Sequence, residues 1–157
     1  IKLEFMNLNL NELVQQVNGE FAERFEGRNL DLICILQPEP LLIRADSRRI
    51  WRVLENLYVN VCKYAMPGTR VYVDAIKKDG KIQLSIKNIS ENPLNFQADE
   101  LTERFIRGDV SRSTEGSGLG LSIAKNLVGL QGGTFDIYLD GDLFKVVITF
   151  EAVDKES

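Results

Sequence analysis

Two segments about fifty residues apart carry residue types that could hold a magnesium polyphosphate. In the first segment, NLYVNVCKYA, the side chains of Asn56, Asn60 and Lys63 share one face of a predicted helix, because residues three and four apart are neighbours on a helix surface. An amide oxygen is a neutral hard ligand, and Mg²⁺ takes few protein ligands while it keeps water and substrate phosphates. Two solvated asparagines and a surface lysine remain the alternative interpretation of this segment.

The second segment, GSGLGLSIAK, could offer bare backbone amides to the same phosphates. Gly116, Gly118 and Gly120 alternate at the start of a predicted helix, where missing side chains let the backbone approach a ligand closely. The unpaired N–H groups of a first helical turn favour an anion. The helix ends at Gly132 and Gly133 and is predicted from apolar residues at helical spacing, which are Leu121, Ile123, Ala124, Leu127, Val128 and Leu130.

Two better-known glycine motifs are excluded here. A dinucleotide-binding fingerprint needs an apolar strand directly before its glycines, whereas residues 107–115, RGDVSRSTE, are polar and prone to turns. A Walker loop needs Gly-Lys-Ser or Gly-Lys-Thr, and neither follows these glycines. A flexible loop that caps an ordinary helix remains the alternative, so the glycines by themselves do not establish a phosphate site.

The composition of the chain excludes several functional classes. With 157 residues, 44% hydrophobic and 27% charged, the chain is predicted to form one globular domain. It contains no histidine, which excludes Ser-His-Asp catalysis and histidine metal sites. A net charge of -4 provides no broad field for nucleic acid. No apolar run reaches the length of a membrane span, and the chain shows no signal peptide.

Two smaller sets of residues have less specific interpretations. Cys34 and Cys62 lie in apolar runs without the spacing of a metal site or a disulfide framework, which predicts buried thiols in a reducing cytosol. Arg104, Arg107 and Arg112 could clamp phosphates or line a lid, and they could equally belong to a solvated loop.

The hydrophobic pattern predicts three helices. Asn9 and Glu12 form a capping box before a helical stripe that runs to about Gly27, and Asp46 is the predicted N-cap of the helix that carries the asparagines. The glycine segment begins the third helix. Residues 90–103 are ambiguous, with one short helix at most.

The strands are predicted as hairpins between these helices. Apolar runs at 30–36 and 41–45 flank Pro38 and Pro40 and indicate a first hairpin. Two more hairpins follow, namely 70–78 with 81–88 around Asp79-Gly80, and 134–139 with 143–150 around Asp140-Gly141-Asp142. Hairpins mixed with helices predict an α+β fold in which the helices cover one face of a sheet.

Four features follow one another in the chain: Asp46, the run NLYVNVCKYA, the segment ERFIRGD from Glu103 to Asp109, and GSGLGLSIAKNLVGLQGG. In this order they resemble the catalytic ATP-binding domain of sensor histidine kinases, in the GHKL superfamily shared with DNA gyrase. The resemblance covers about Asn9 to Phe150 and implies the Bergerat fold, a two-layer α/β sandwich with a mixed, mostly antiparallel sheet of about five strands. It also implies that residues 1–157 are one domain, with residues 1–8 as the end of a linker from a dimerisation and phosphoacceptor domain.

The resemblance implies a role for each matching position. The position of Asn60 binds Mg²⁺ and that of Asn56 supports the metal or its water. Asn60, Lys63, Arg104 and Arg107 would be the catalytic residues, and residues 107–117 would form a lid over ATP. The implied contacts with ATP come from Asn56, Asn60, Lys63, Tyr64, Asn88, Phe105, Arg107, Gly116, Ser117, Gly118, Leu119 and Gly120.

The chain departs from the family pattern at two positions. The family's first glycine box reads Asp-x-Gly-x-Gly after a strand, whereas here Asn88 takes the Asp position and both glycines are absent. The amide of Asn88 can still accept the adenine amino group, without the charge-assisted strength of a carboxylate. ATP-hydrolysing relatives carry a glutamate at the position of Asn56. Because asparagine cannot serve as that base, the site is predicted to keep ATP for another acceptor.

The predicted function is therefore to bind Mg-ATP and to transfer the γ-phosphoryl group to a histidine on a separate dimerisation domain, in two-component signal transduction. The expected partners are ATP or ADP, that histidine-bearing domain and a response regulator, without nucleic acid and without insertion of this domain into a membrane. The expected location is the cytoplasmic part of a membrane-anchored bacterial sensor. A non-catalytic nucleotide-binding module and a serine-kinase regulator of the anti-sigma-factor type remain the alternatives.

Overall fold

The computed structural model describes residues 2–94 and 117–153 of the chain. The elements in these ranges are β1 (Met6–Asn9), α1 (Leu10–Gly27), β2 (Asp31–Leu36), β3 (Leu42–Ala45), α2 (Ser47–Tyr64), β4 (Arg70–Lys78), β5 (Lys81–Ile89), α3 (Ser117–Leu130), β6 (Thr134–Asp140) and β7 (Leu143–Glu151). All three predicted helices are present, and the first begins after Asn9, whose side chain accepts the backbone N–H of Asn11 at 3.0 Å.

Five strands form the main sheet in the order β2-β4-β5-β7-β6. β2 runs parallel to β4, with Asp31 opposite Arg70, and the other neighbours in the sheet are antiparallel. The predicted hairpins β4-β5 and β6-β7 are confirmed. The first of them turns at Asp79 and Gly80, which both have positive φ angles of 55° and 76°. Aspartate and glycine tolerate that conformation, which matches the twist of a tight hairpin.

The core lies between one face of this sheet and the helices. Side chains alternate between the two faces of a strand, so Ile82, Leu84 and Ile86 of β5 all point to the core and are at most 3% exposed. α2 packs against both α1 and α3. The α+β prediction of a two-layer sandwich, with a mixed and mostly antiparallel sheet of five strands and three helices, is confirmed.

The predicted hairpin at 30–36 and 41–45 is wrong. Both strands form, but β2 pairs with β4, and β3 pairs with β1 in a separate two-stranded sheet. The loop between them is held by Asn11, whose Nδ2 donates to the backbone carbonyls of Gln37 and Glu39, both at 3.1 Å. Because these carbonyls bond to α1 and the prolines at 38 and 40 lack an N–H, the loop cannot close a hairpin ladder.

Residues near the N-terminus are part of the fold. Met6–Asn9 form β1, in which Met6 lies opposite Ala45, and the backbone N–H of Glu4 donates to Asp46 Oδ2 at 2.8 Å. The sequence pattern did not indicate this strand. The domain bounds and the assignment of residues 1–8 to a linker stay predictions.

Two other sequence-based expectations concern thiols and membranes. Cys34 and Cys62 are both free and half-buried, and burial raises the pKa of each thiol. Among the helices of the described ranges, none combines the length and the apolar character needed to cross a bilayer.

Candidate functional site

α2 carries a polar stripe beside its buried one. Asp46 caps the helix as predicted, because its Oδ1 accepts the backbone N–H groups of Arg48 and Arg49 at 3.0 and 3.2 Å. The side chains that attach α2 to the core recur at helical spacing and include Ile50, Val53, Leu54, Leu57, Tyr58 and Val61. This attachment leaves Asn56 and Asn60 one turn apart on a neighbouring stripe.

Both asparagines carry a buried polar atom that lacks a hydrogen-bond partner in the part of the chain that is described. Asn60 is 8% exposed and its unpaired atom is the acceptor Oδ1, while the unpaired atom of Asn56 is the donor Nδ2. Leaving such an atom unpaired costs about 1–3 kcal/mol, so a bound group that supplied the missing partner would stabilise each of these side chains. Asn60 Oδ1 suits a hard cation. Asn56 Nδ2 suits a water or an anionic oxygen.

The start of α3 lies against this stripe. A methyl group added at Gly120 would be 3.8 Å from the backbone oxygen of Asn56 and 4.0 Å from its Cβ. Gly120 is one turn from the N-terminus of α3, where backbone N–H groups are unpaired and favour an anion. The two segments that the sequence singled out therefore meet in the fold.

Asn88 belongs to the same region. It continues the core-facing alternation of β5, it is 2% exposed, and its Oδ1 is also buried without a partner among the described residues. The end of β5 is tied to the end of α2, because Met66 N donates to Ile89 O at 2.8 Å and Glu91 N donates to Tyr64 O at 2.8 Å. These bonds place Asn88 beside the C-terminal half of α2. We call Asn56, Asn60, Asn88 and the first turn of α3 the asparagine site.

Arg28 holds the last turn of α2. Its Nε donates to the carbonyl of Cys62 and its Nη2 to the carbonyl of Ala65, both at 2.8 Å, and its guanidinium lies 3.8 Å from Glu91 Oε2. A guanidinium can donate to several carbonyls at once, so Arg28 caps the helix. Its positive charge is also favourable at the C-terminus, which is the negative end of the helix dipole. Within that last turn Lys63 is exposed and Tyr64 is half-buried.

The remaining predicted site residues differ in how far the structure describes them. Ser117, Gly118 and Leu119 form the first turn of α3, of which the backbone is described. The other predicted residues lie outside the described ranges, and they are Arg104, Phe105, Arg107 and Gly116. The roles of all these residues stay predictions.

The donor set of the site suits magnesium better than a transition metal. Among the described residues no group of three or more His, Cys, Asp or Glu side chains could hold a metal ion. A Mg²⁺ site can instead use one amide oxygen with water and substrate phosphates. The residues present thus fit a metal that arrives with a polyphosphate.

A separate groove has a volume of about 1190 Å³ but offers no comparable chemistry. The groove is lined by β1, the start of α1 and the β4-β5 turn, with Met6, Leu13 and Lys77 among its residues. Its lining includes neither the three asparagines nor any other buried unpaired polar atom that the described residues contain.

Comparison with known proteins gives the family of the chain. The family model described as Histidine kinase-, DNA gyrase B-, and HSP90-like ATPase matches residues 45–153, which include α2, β5 and α3. The chain belongs to this family. Its match also spans every residue of the asparagine site.

Individual relatives narrow the identification to the histidine-kinase branch. The chain is 32% identical over 123 residues to the signal transduction histidine-protein kinase BaeS of Escherichia coli, which is 77% of this chain and 26% of BaeS. It superimposes on the catalytic domain of histidine kinase ThkA with a TM-score of 0.81 at 27% identity, over 94% of this chain and 95% of that one. ThkA has also been solved in complex with the response regulator protein TrrA, with a TM-score of 0.75 at 27% identity over 96% and 42% of the two chains. The chain is the ATP-binding catalytic domain of a sensor histidine kinase.

Two residues that organise this histidine-kinase domain were missed by the sequence analysis. Arg28 follows the end of α1 and Gln131 follows the end of α3; Gln131 lies inside the run GSGLGLSIAKNLVGLQGG, but the sequence analysis gave neither residue a role. Both act by bonding to backbone groups of α2 or its cap. Such partners are far away in the sequence, so only the fold reveals them.

Proposed function

We propose that this domain binds Mg-ATP at the asparagine site. Asn60 would ligate Mg²⁺ through Oδ1, and Asn56 would hold a metal-bound water or a phosphate oxygen. Asn88 Oδ1 would accept the adenine amino group. The Oδ1 atoms of Asn60 and Asn88 support this proposal, because both acceptors are buried without a hydrogen-bond partner among the described residues.

The phosphates would lie on the start of α3. The backbone N–H groups of Ser117, Gly118, Leu119 and Gly120 belong to the first turn, where the helix dipole favours negative charge. Lys63 is one turn beyond Asn60 and would add a positive charge near the same phosphates. Arg104, Arg107 and Phe105 are proposed to complete the site from the segment before α3.

The proposed reaction is phosphoryl transfer to a histidine on a separate dimerisation domain. A nitrogen of that histidine would attack the γ-phosphorus, the bond to the β–γ bridging oxygen would break, and ADP would leave. Bound Mg²⁺ would supply neutralisation of the charge on the phosphates. The domain's own contribution is to position and to stabilise charge, because the position of Asn56 carries an amide that cannot act as a general base for water.

Two relatives support proposals about the histidine-bearing domain and about the recipient of the phosphoryl group. The chain spans 26% of the length of BaeS, so the histidine-bearing domain is proposed to lie in another part of a longer protein. A response regulator is the proposed recipient of the phosphoryl group, since ThkA forms a complex with the response regulator TrrA. The proposed location is the cytoplasmic side of a membrane-anchored bacterial sensor.

One observation carries the proposal, namely the buried and unpaired Oδ1 of Asn60 on the helix that Gly120 approaches. Calorimetric titration of the domain with ATP, with and without Mg²⁺, tests it directly. We expect binding that weakens when the metal is removed. Absence of binding at millimolar nucleotide would contradict the proposed function.

The variant Asn60→Leu sharpens this test. It keeps the number and branching of the side-chain heavy atoms and removes the amide, so we expect the Kd for Mg-ATP to rise about a hundredfold. The thermal unfolding midpoint should stay level or rise, because a buried unpaired polar atom is replaced by an apolar group. Asn126→Leu makes the same chemical change at an exposed position of α3 and should leave the Kd unchanged. Wild-type affinity in folded Asn60→Leu would refute the metal role of Asn60.

A further inference from the structure

Gln131 forms a buried bridge between α2 and α3. The residue follows α3 and is 6% exposed. Its Oε1 accepts the backbone N–H of Asp46 at 2.8 Å, and its Nε2 donates to the backbone carbonyl of Leu127 at 2.8 Å. Because a backbone carbonyl can only accept and a backbone N–H can only donate, this orientation of the amide is the one that satisfies both partners.

The bridge joins opposite ends of two helices. Leu127 O is one of the last carbonyls of α3, which have no partner within the helix. Asp46 is the N-cap of α2, and its carboxylate already bonds to the first turn of that helix. One side-chain amide therefore attaches the C-terminus of α3 to the N-terminus of α2 in a buried place.

A second contact joins the start of α3 to the middle of α2, where Gly120 approaches Asn56. Asn56 is about 15 Å along α2 from Asp46, and Gly120 is about 16 Å along α3 from Gln131, at the α-helical rise per residue. The two distances agree, so α2 and α3 run antiparallel and meet at these two points. A slip of one residue between them would displace the start of α3 by about 1.5 Å relative to the asparagines.

We propose that Gln131 and Asp46 are positioning residues for nucleotide binding. Their hydrogen bond sets the register of α3 against α2, and this register decides where the backbone amides of the first turn of α3 lie relative to Asn56 and Asn60. The bridge does not touch the nucleotide. This inference rests on the proposed function, since the position it controls matters only if ATP binds at the asparagine site.

The test replaces Gln131 by methionine. Gln131→Met has a similar volume and makes neither hydrogen bond, so the start of α3 should lose its register. We expect the Kd for Mg-ATP to rise about tenfold by calorimetry at a temperature where circular dichroism shows a folded domain. In the nucleotide-free protein, the NMR signals of the Gly120 backbone amide and the Asn56 side-chain amide should shift, although both lie far from the substitution.

Asn11 provides a matched control. It is another buried side-chain amide, 8% exposed, and it too makes two hydrogen bonds to the backbone, but its Nδ2 donates both of them to carbonyls and ties α1 to the loop after β2. Asn11→Leu should lower the thermal midpoint as Gln131→Met does, and should leave the Kd and the two NMR signals unchanged. Equal effects of both variants on the Kd, or unchanged Kd and unchanged signals in Gln131→Met, would overturn the positioning role.

Two further measurements cover the cases in which Gln131→Met does not fold or the unmodified domain does not bind ATP. If Gln131→Met does not fold, Gln131→Glu takes its place, because it keeps the acceptor for Asp46 N–H and lacks only the donor to Leu127. It should show the same displacement of the Gly120 and Asn56 signals, and unmoved signals would overturn the proposal. If the unmodified domain fails to bind ATP, the proposed function fails, while the nucleotide-free NMR comparison still decides whether the bridge sets the register of α3.

Discussion

At the level of single residues, the proposed chemistry of this domain depends on three asparagines. Asn56, Asn60 and Asn88 each bury a polar atom that has no partner among the described residues. Each such atom is unfavourable for folding by about 1–3 kcal/mol. Side chains that destabilise a fold are typical of binding sites, where the ligand restores the missing hydrogen bond or metal bond. Among the described residues Asn11 Oδ1 and Arg49 Nε are also buried without a partner, so the proposal rests on the three asparagines lying together near the start of α3.

Asn88 allows a prediction at this scale. In Asn88→Asp a carboxylate would accept the adenine amino group with charge assistance, so we expect the Kd for ATP to fall about fivefold. The thermal midpoint should fall as well, because position 88 is 2% exposed and burial disfavours a charge there. Calorimetry and thermal unfolding measure the two effects.

Asn88→Leu is the matched comparison for that variant. It removes the acceptor while keeping the number and branching of the side-chain heavy atoms, and the Kd for ATP should rise. ATP affinity equal to that of the wild type in a folded Asn88→Leu domain would show that Asn88 does not face the adenine.

At the level of elements, α3 packs against α2, and its first turn is proposed to bind phosphates. Its glycines have different surroundings: a methyl group at Gly120 would make ordinary van der Waals contact with Asn56, whereas a methyl group at Gly129 would meet nothing within 4 Å. Gly133, just after the helix, is crowded. A methyl group there would lie 2.8 Å from Phe150 Cε1 and 2.9 Å from Thr149 O.

These surroundings predict opposite effects of the same substitution. Gly129→Ala should stabilise the domain by up to about 1 kcal/mol, because alanine favours a helix interior over glycine. Gly133→Ala should destabilise it by about 1–3 kcal/mol, because Phe150 and the backbone of β7 must move. Urea unfolding monitored by circular dichroism gives both values. A Gly133→Ala domain as stable as the wild type would contradict the close packing described here.

At the scale of the whole molecule, Asp46 connects parts of the domain that are distant in sequence. Its carboxylate accepts the N–H of Glu4 near the start of the chain and caps α2, while its own N–H donates to Gln131 after α3. The N–H of Glu4, followed by those of Arg49 and Arg48, holds the pKa of this carboxyl below its usual value. The arginines at positions 48 and 49 lie in the first turn of α2, where the helix dipole disfavours positive charge, and the carboxylate of Asp46 offsets them.

This lowered pKa predicts a pH dependence. A carboxyl whose pKa is lower in the folded state contributes stability above its unfolded pKa of about 3.9 and loses it as the pH falls through the folded pKa. We expect the free energy of unfolding of the wild type to fall below about pH 4 more steeply than that of Asp46→Asn. Urea unfolding between pH 3 and pH 7 measures both slopes.

The control for net charge is Asp136→Asn, which changes an exposed residue of β6. It should follow the wild-type slope. If Asp46→Asn also follows that slope, the negative charge of Asp46 does not stabilise the folded domain. Asp46 would then contribute only through the geometry of its hydrogen bonds.

The sequence by itself determined the local elements and the choice of chemistry. The caps at Asn9 and Asp46, the turn at Asp79-Gly80 and the spacing of Asn56 and Asn60 are read from neighbouring residues, since caps, turns and helical faces depend on contacts within a few positions. The same local spacing indicated Asn56, Asn60 and the start of α3 as parts of one Mg-ATP site, because each of the two motifs suits one part of Mg-ATP, whereas Asn88 was indicated only by the family resemblance.

Only the tertiary structure decided which distant groups meet. The pairing of β2 with β4 and of β3 with β1 replaced a hairpin that local pattern favoured, because strand partners are chosen by packing over the whole sheet. The bridge from Gln131 to Asp46 spans 85 positions in the chain, and the approach of Gly120 to Asn56 has no sequence signal of its own. Long-range hydrogen bonds and close backbone contacts depend on where whole elements lie, which no local spacing encodes.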